Sequence, residues 1–96
     1  MADTASDIDE RALVERILNG NREAFLAFID RYERLVQHVV FRMVDDDRDR
    51  EELCQDVFLR AHRYLDGFRF ESKLSTWLAR IARNTQLYLQ EETDIT

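Results

Sequence analysis

Apolar side chains recur along this chain at intervals of three and four residues, and only two glycines and no proline interrupt them. That spacing gathers the apolar positions on one side of a helix. Leu13, Val14, Ile17 and Leu18 share a face and predict a first helix from about Ile8 to Leu18. Asp7 followed by Glu10 resembles a capping box with aspartate at its head, and Asn19-Gly20 supplies a stop. A second, longer helix is predicted from about Arg22 to Val44, with Asn21 as its cap. Phe25, Phe28, Ile29, Tyr32, Leu35, Val36, Val39 and Met43 keep helical register along it. Asp45, Asp46 and Asp47 end it, because acids oppose the negative end of a helix dipole and favour the start of the next helix.

A third helix is predicted from about Arg50 to Leu65, with Asp49 as cap. At 100° per residue, Leu53, Cys54, Val57, Phe58, Ala61, Tyr64 and Leu65 fall within an arc of about 140°. Asp49, Glu52, Gln55, Asp56, Leu59 and Arg63 occupy a separate arc of about 120°. Gly67 then opens a loop from Phe68 to about Glu71. Ser72 or Ser75 is the predicted cap of a fourth helix that continues towards Gln90. Leu74, Trp77, Leu78, Ile81, Ala82, Thr85, Tyr88 and Leu89 form its apolar arc, with Trp77 at the edge. Lys73, Thr76, Arg80, Arg83 and Asn84 lie opposite, joined by Leu87. The expected fold is therefore all-α, a compact bundle of about four helices in one domain, residues 1–90. Residues 91–96 are expected to be an acidic, frayed end.

Charge alters this picture by its placement. The chain carries a formal net charge of −6. Residues 1–67 hold ten basic and sixteen acidic side chains, residues 68–84 hold four and one, and residues 85–96 hold none and three. A short basic stretch, FRFESKLSTWLARIARN, thus stands inside an acidic protein. No run of 18 apolar residues exists, so no membrane insertion is expected, and the acidic N-terminus is not a signal peptide. Cys54 is the single cysteine, which fits a reducing, cytoplasmic setting.

Catalytic patterns are lacking. His38 and His62 fall on different helices without a carboxylate or cysteine motif beside them, and no HExxH, CxxC, glycine-rich phosphate loop or GxSxG element occurs. Cys54, in an apolar arc, reads as a small core residue. No enzyme activity, metal or cofactor is expected.

The basic stretch admits two readings. Its cations suit phosphates, Phe68, Phe70 and Trp77 can stack unpaired bases at ~1–3 kcal/mol each, and Asn84 can pair with a base edge. The hydroxyls of Ser72, Ser75 and Thr76 can bond phosphate or a displaced base. Alternatively Trp77 packs the core edge, Phe68 and Phe70 tuck under the bundle, and the cations are a solvated face. Four cations neutralise about four phosphates, a single-strand salt slope of only ~−3. Specific binding would then need affinity from another molecule. The outward arc of the third helix offers a place for one. Asp49, Glu52, Gln55 and Asp56 surround an exposed Leu59, a pattern that suits a basic partner helix as well as a solvated face.

DREELCQDVFLRAHRYLDGF followed by RFESKLSTWLARIARN resembles region two of bacterial extracytoplasmic-function sigma factors. That family shows an acidic run ending in F-L-R-A, here Asp49 to Ala61. An F-R loop and S-x-x-T-W-L-x-R-I-A-R-N follow, here Phe68 to Asn84. The likeness covers about residues 8–85. It implies a promoter-recognition subunit of RNA polymerase core. Asp49, Glu52, Gln55, Asp56 and Leu59 would dock on the clamp helices of the β′ subunit. Phe68, Arg69, Phe70, Ser72, Ser75, Thr76 and Trp77 would capture a flipped base on the nontemplate single strand of the −10 element. Lys73, Arg80, Arg83 and Asn84 would lie beside its upstream edge. An anti-sigma factor is a further possible partner. The segment after Asn84, TQLYLQEETDIT, departs from the family's longer basic helix. The chain also stops before the family's helix-turn-helix domain, so a fragment of a longer protein is expected.

Overall fold

The computed structural model describes the backbone of residues 2–95 and the side chains of residues 9–85. Four α-helices follow in order, α1 (Ala2–Leu18), α2 (Arg22–Met43), α3 (Asp47–Tyr64) and α4 (Leu74–Ile95), with a short 3-10 turn at Leu65–Gly67 after α3. The all-α bundle expected from the periodicity is the fold observed.

Helix α1 begins at Ala2 rather than Ile8. Asp7 is therefore inside the helix and not its cap, because no glycine or proline upstream stops helix propagation. Its far end closes as the sequence predicts. Gly20, with φ +87°, donates to the Ile17 carbonyl, and Asn21 N–H donates to Arg16, both at 3.0 Å. This pair of bonds is a Schellman closure, which needs the left-handed conformation glycine adopts freely. The Asn21 side chain then accepts from the Ala24 N–H at 3.0 Å and starts α2.

The α2–α3 connection is built differently from the prediction. Asp46, not Asp49, is the cap, its carboxylate accepting from Arg48 N–H at 2.9 Å and Asp49 N–H at 3.2 Å. Asp47 and Asp49 occupy the first turn, where the positive end of the helix dipole favours them. Arg50 ties the connection together. Its Nε donates to the Val44 carbonyl at 2.7 Å, its Nη2 to the Phe41 carbonyl at 3.4 Å, and its guanidinium lies 4.6 Å from the Phe41 ring centroid. One side chain thus satisfies carbonyls at the end of α2, which the helix itself leaves unpaired.

The core runs through all four helices. Val14 and Ile17 come from α1, Phe28, Val36 and Val40 from α2, Leu53, Val57, Phe58 and Ala61 from α3, and Leu74, Leu78 and Ala82 from α4. Phe28 is the aromatic hub, 5.2 Å from Tyr32 and 5.9 Å from Phe58 between ring centroids. Helix α4 packs against both α2 and α3, while α1 packs on α2 and touches the 3-10 turn. Thr85, wholly buried, is satisfied by donating its hydroxyl to the Ile81 carbonyl at 2.6 Å. Burial is uneven across the apolar arcs. Leu18 and Tyr64 are exposed, and Leu13, Cys54, Trp77 and Ile81 are half-buried. Helix α4 extends past Gln90 to Ile95. The side chains of Leu87, Tyr88 and Leu89, expected on α4, and those of the acidic segment 91–96 lie outside the described residues.

Candidate nucleic-acid interface and docking face

The loop after the 3-10 turn is organised around a buried ring. Phe68 N–H donates to the Leu65 carbonyl at 3.0 Å, closing the turn, and the Phe68 side chain is only 8% exposed. It packs 4.6 Å from Phe70 and 5.3 Å from Trp77, centroid to centroid. Phe70 holds φ +59°, the one positive φ outside glycine among the described residues. Such a conformation costs about 1–3 kcal/mol and persists only where neighbours impose it. Here Phe68 contacts the ring, and the Arg11 guanidinium of α1 lies 4.3 Å from its centroid.

Arg69 and Lys73 are exposed, Ser72 and Ser75 half-buried. Neither serine caps the helix as the sequence predicts. Ser75 lies inside α4, and the Ser72 hydroxyl donates to the Lys73 carbonyl at 3.3 Å. Lys73 precedes the helix, its carbonyl accepting the first helical bond from Trp77 N–H at 3.1 Å. The N–H of Leu74 donates instead to Glu10 of α1, at 3.5 Å. Along α4, Thr76, Arg80, Arg83 and Asn84 are all exposed, as the 100° spacing requires. A hollow of about 260 Å³ adjoins them, lined by Arg60, Tyr64, Trp77, Ile81, Asn84 and Thr85. Arg60, although inside the F-L-R-A run, and Tyr64 are not among the contact residues expected from the sequence. Tyr64 sits near the edge of the apolar arc of α3, and that edge position was the available signal.

The second surface lies on α3. Asp49, Glu52, Gln55 and Leu59 are exposed and Asp56 half-buried; Leu59 is 64% exposed. Beside this face a groove of about 740 Å³ runs between α2 and α3, with Phe25, Ile29, Phe41, Cys54, Gln55 and Leu59 contributing to its walls. Glu33, Asp47 and Glu51 also line it. Periodicity within α3 could not show this groove, because half of it is built by α2. Burial, reinforced by Glu33, pushes the Cys54 thiol above its ordinary pKa, which disfavours the thiolate form. His62 is engaged edge-on with Phe25, at 4.6 Å between ring centroids. Among the described residues no group of histidines, cysteines and carboxylates is arranged to hold a metal.

Known proteins resemble this chain in sequence and fold. Residues 28–89 match the family described as Sigma-70 region 2. The chain is 38% identical to the ECF RNA polymerase sigma-E factor of Haemophilus influenzae, over 84% of this chain and 42% of that protein. The sigma-E factor of Escherichia coli K12 shows the same identity and coverage. The RNA polymerase sigma-H factor of Pseudomonas aeruginosa is 36% identical over 79% of this chain and 39% of its own length. The chain thus spans about two-fifths of the length of these curated relatives. Among solved structures, an engineered region 2 of sigmaE, determined by NMR in complex with GTAAAA, superposes with a TM-score of 0.74. It is 40% identical, with 85% of this chain and 86% of that one covered. A family match over residues 28–89 and a superposition at 40% identity agree: the chain belongs to the Sigma-70 region 2 family, with ECF sigma factors among the relatives it matches.

Proposed function

We propose that this domain recognises and opens the −10 element of promoters as part of a sigma factor bound to RNA polymerase core. The observation that carries this reading is the exposed row Lys73, Thr76, Arg80, Arg83 and Asn84 beside the Phe68–Phe70–Trp77 cluster. It stands in a chain 40% identical to a domain whose complex contains GTAAAA. The roles within the patch divide by burial. Phe68 is the floor that shapes the loop. Phe70, Trp77 and the half-buried Ser72 and Ser75 would border a captured base, and Arg69 with the α4 cations would hold the phosphates. Capturing one flipped nontemplate base offsets an unstacking cost of a few kcal/mol, so no bond is made or broken. The α3 face, with Asp49, Glu52, Gln55, Asp56 and Leu59, is the proposed docking site for the β′ clamp helices. An anti-sigma factor would compete for such a surface. The work would be cytoplasmic; no helix among the described residues is long and apolar enough to cross a membrane.

Fluorescence anisotropy of labelled GTAAAA and a scrambled oligonucleotide, with and without a clamp-helix fragment, tests the reading. Selective binding, strengthened by the fragment, is expected. Gln55→Ala with Asp56→Lys should abolish fragment binding at an unchanged Tm, and full retention would refute the docking assignment. The apolar groove beside Leu59 favours one second reading, a protein-binding module that occupies the clamp or an anti-sigma factor without reading DNA. Fragment binding with no oligonucleotide selectivity would establish it.

A further inference from the structure

Helix α1 lies wholly before the residues matched to the family, 28–89, yet it reaches the loop at two points. Glu10 is 9% exposed. Its Oε1 accepts from the Tyr32 hydroxyl and its Oε2 from the Leu74 N–H, each at 3.5 Å. A carboxylate from α1 therefore takes the capping place the sequence gives to Ser72 or Ser75, where the α4 dipole favours negative charge. One residue on, Arg11 covers the Phe70 ring at 4.3 Å. Consecutive residues thus grip both ends of segment 70–74, the left-handed backbone at Phe70 and the first residue of α4.

We propose that Glu10 and Arg11 form a positioning clamp, which holds the loop in its base-receiving geometry without touching DNA. What the loop receives rests on the function proposed above; the clamp itself does not. The rival role for Arg11 is a fifth phosphate contact. The two differ in salt dependence. Removing a phosphate contact flattens the single-strand salt slope by ~0.7, whereas loosening the loop lowers affinity at every salt concentration and leaves the slope alone.

The test compares Arg11→Ala, Arg11→Lys and Glu10→Gln with the parent chain. Amide hydrogen exchange across residues 70–74 is measured without DNA, and GTAAAA affinity is measured across a salt series. Arg11→Ala should accelerate exchange about tenfold, as loss of a cation–ring contact allows. Arg11→Lys should restore little of it, because guanidinium stacks on rings better than ammonium does. Glu10→Gln, which keeps the shape but not the charge, should expose the Leu74 amide selectively. Affinity should fall in all three with the slope unchanged. Unchanged exchange in both Arg11→Ala and Glu10→Gln overturns the clamp, and a flattened slope with unchanged exchange assigns Arg11 to phosphate instead. If the parent chain fails to bind GTAAAA, the promoter reading fails, while the exchange rates still decide the clamp.

Discussion

The outward face of α3 and the loop before α4 carry the two proposed contacts, and they are held in different ways. The α3 face is one helix displaying its own side chains, and Leu59 there is 64% exposed. Its geometry comes from local hydrogen bonds begun by Asp46. The loop has no such repeat. Its shape depends on a buried ring at Phe68, a left-handed residue at Phe70 and two side chains from a helix more than fifty residues away. A face carried on regular structure tolerates change one residue at a time. A loop assembled from distant parts does not, and the largest effects of substitution should fall there.

The sharpest contrast pairs two apolar residues. Phe68→Ala removes a ring packed against Phe70 and Trp77 and should cost ~3–5 kcal/mol, lowering the Tm and ending oligonucleotide binding. Leu59→Ala removes a side chain that packs against little, and the stability change should stay within about 0.5 kcal/mol while clamp-fragment binding weakens. Thermal melting read beside the two binding assays checks both. Equal losses of stability would erase the distinction between the surfaces.

The difference also explains what could be seen in the sequence. Helix existence, the Asn21 cap and the exposure of Asp49, Glu52, Gln55, Leu59, Arg80 and Arg83 follow from a 3.6-residue period and local chemistry, and were legible. The Asp46 cap was missed because three consecutive aspartates and Asp49 are all good caps, and the choice depends on where Arg50 closes α2. The Glu10 cap of α4 had no local signal, since donor and acceptor are 64 residues apart. Burial of Phe68 is not legible for a similar reason: an aromatic beside cations looks alike in sequence whether it faces a base or the core.

A smaller effect is expected at the start of α3. Asp46→Ala removes a carboxylate that accepts from two backbone N–H groups and should cost ~1 kcal/mol. Because the acids at 47 and 49 remain, the helix should fray only at its first turn. Hydrogen exchange should rise at residues 48–50 and stay unchanged at 70–74. Acceleration at the loop instead would show that the two regions are coupled through α3 and are not held independently.

The smallest effect appears only at alkaline pH and places one titrating group under each surface. Burial, with Glu33, raises the Cys54 thiol beside the α3 groove. Burial also raises the Tyr32 phenol, which Glu10 reinforces and Arg31 opposes. In both cases the folded state holds its proton longer than the unfolded chain does. Above the ordinary values, about 8.5 for a thiol and 10 for a phenol, the unfolded state therefore binds fewer protons and stability falls with rising pH. Below those values both contributions are fully present. Cys54→Ser should make the fall between about pH 8.5 and 10 shallower, and Tyr32→Phe should do so above about pH 10. The phenolate would also lose its donor to Glu10, so loop exchange should quicken in the parent chain above that pH but not in Tyr32→Phe beyond its own baseline. Identical pH slopes in all three chains would mean that neither group is held protonated by the fold. A slope changed in Cys54→Ser alone would place the pH sensitivity in the α3 groove and leave the loop's anchor independent of it.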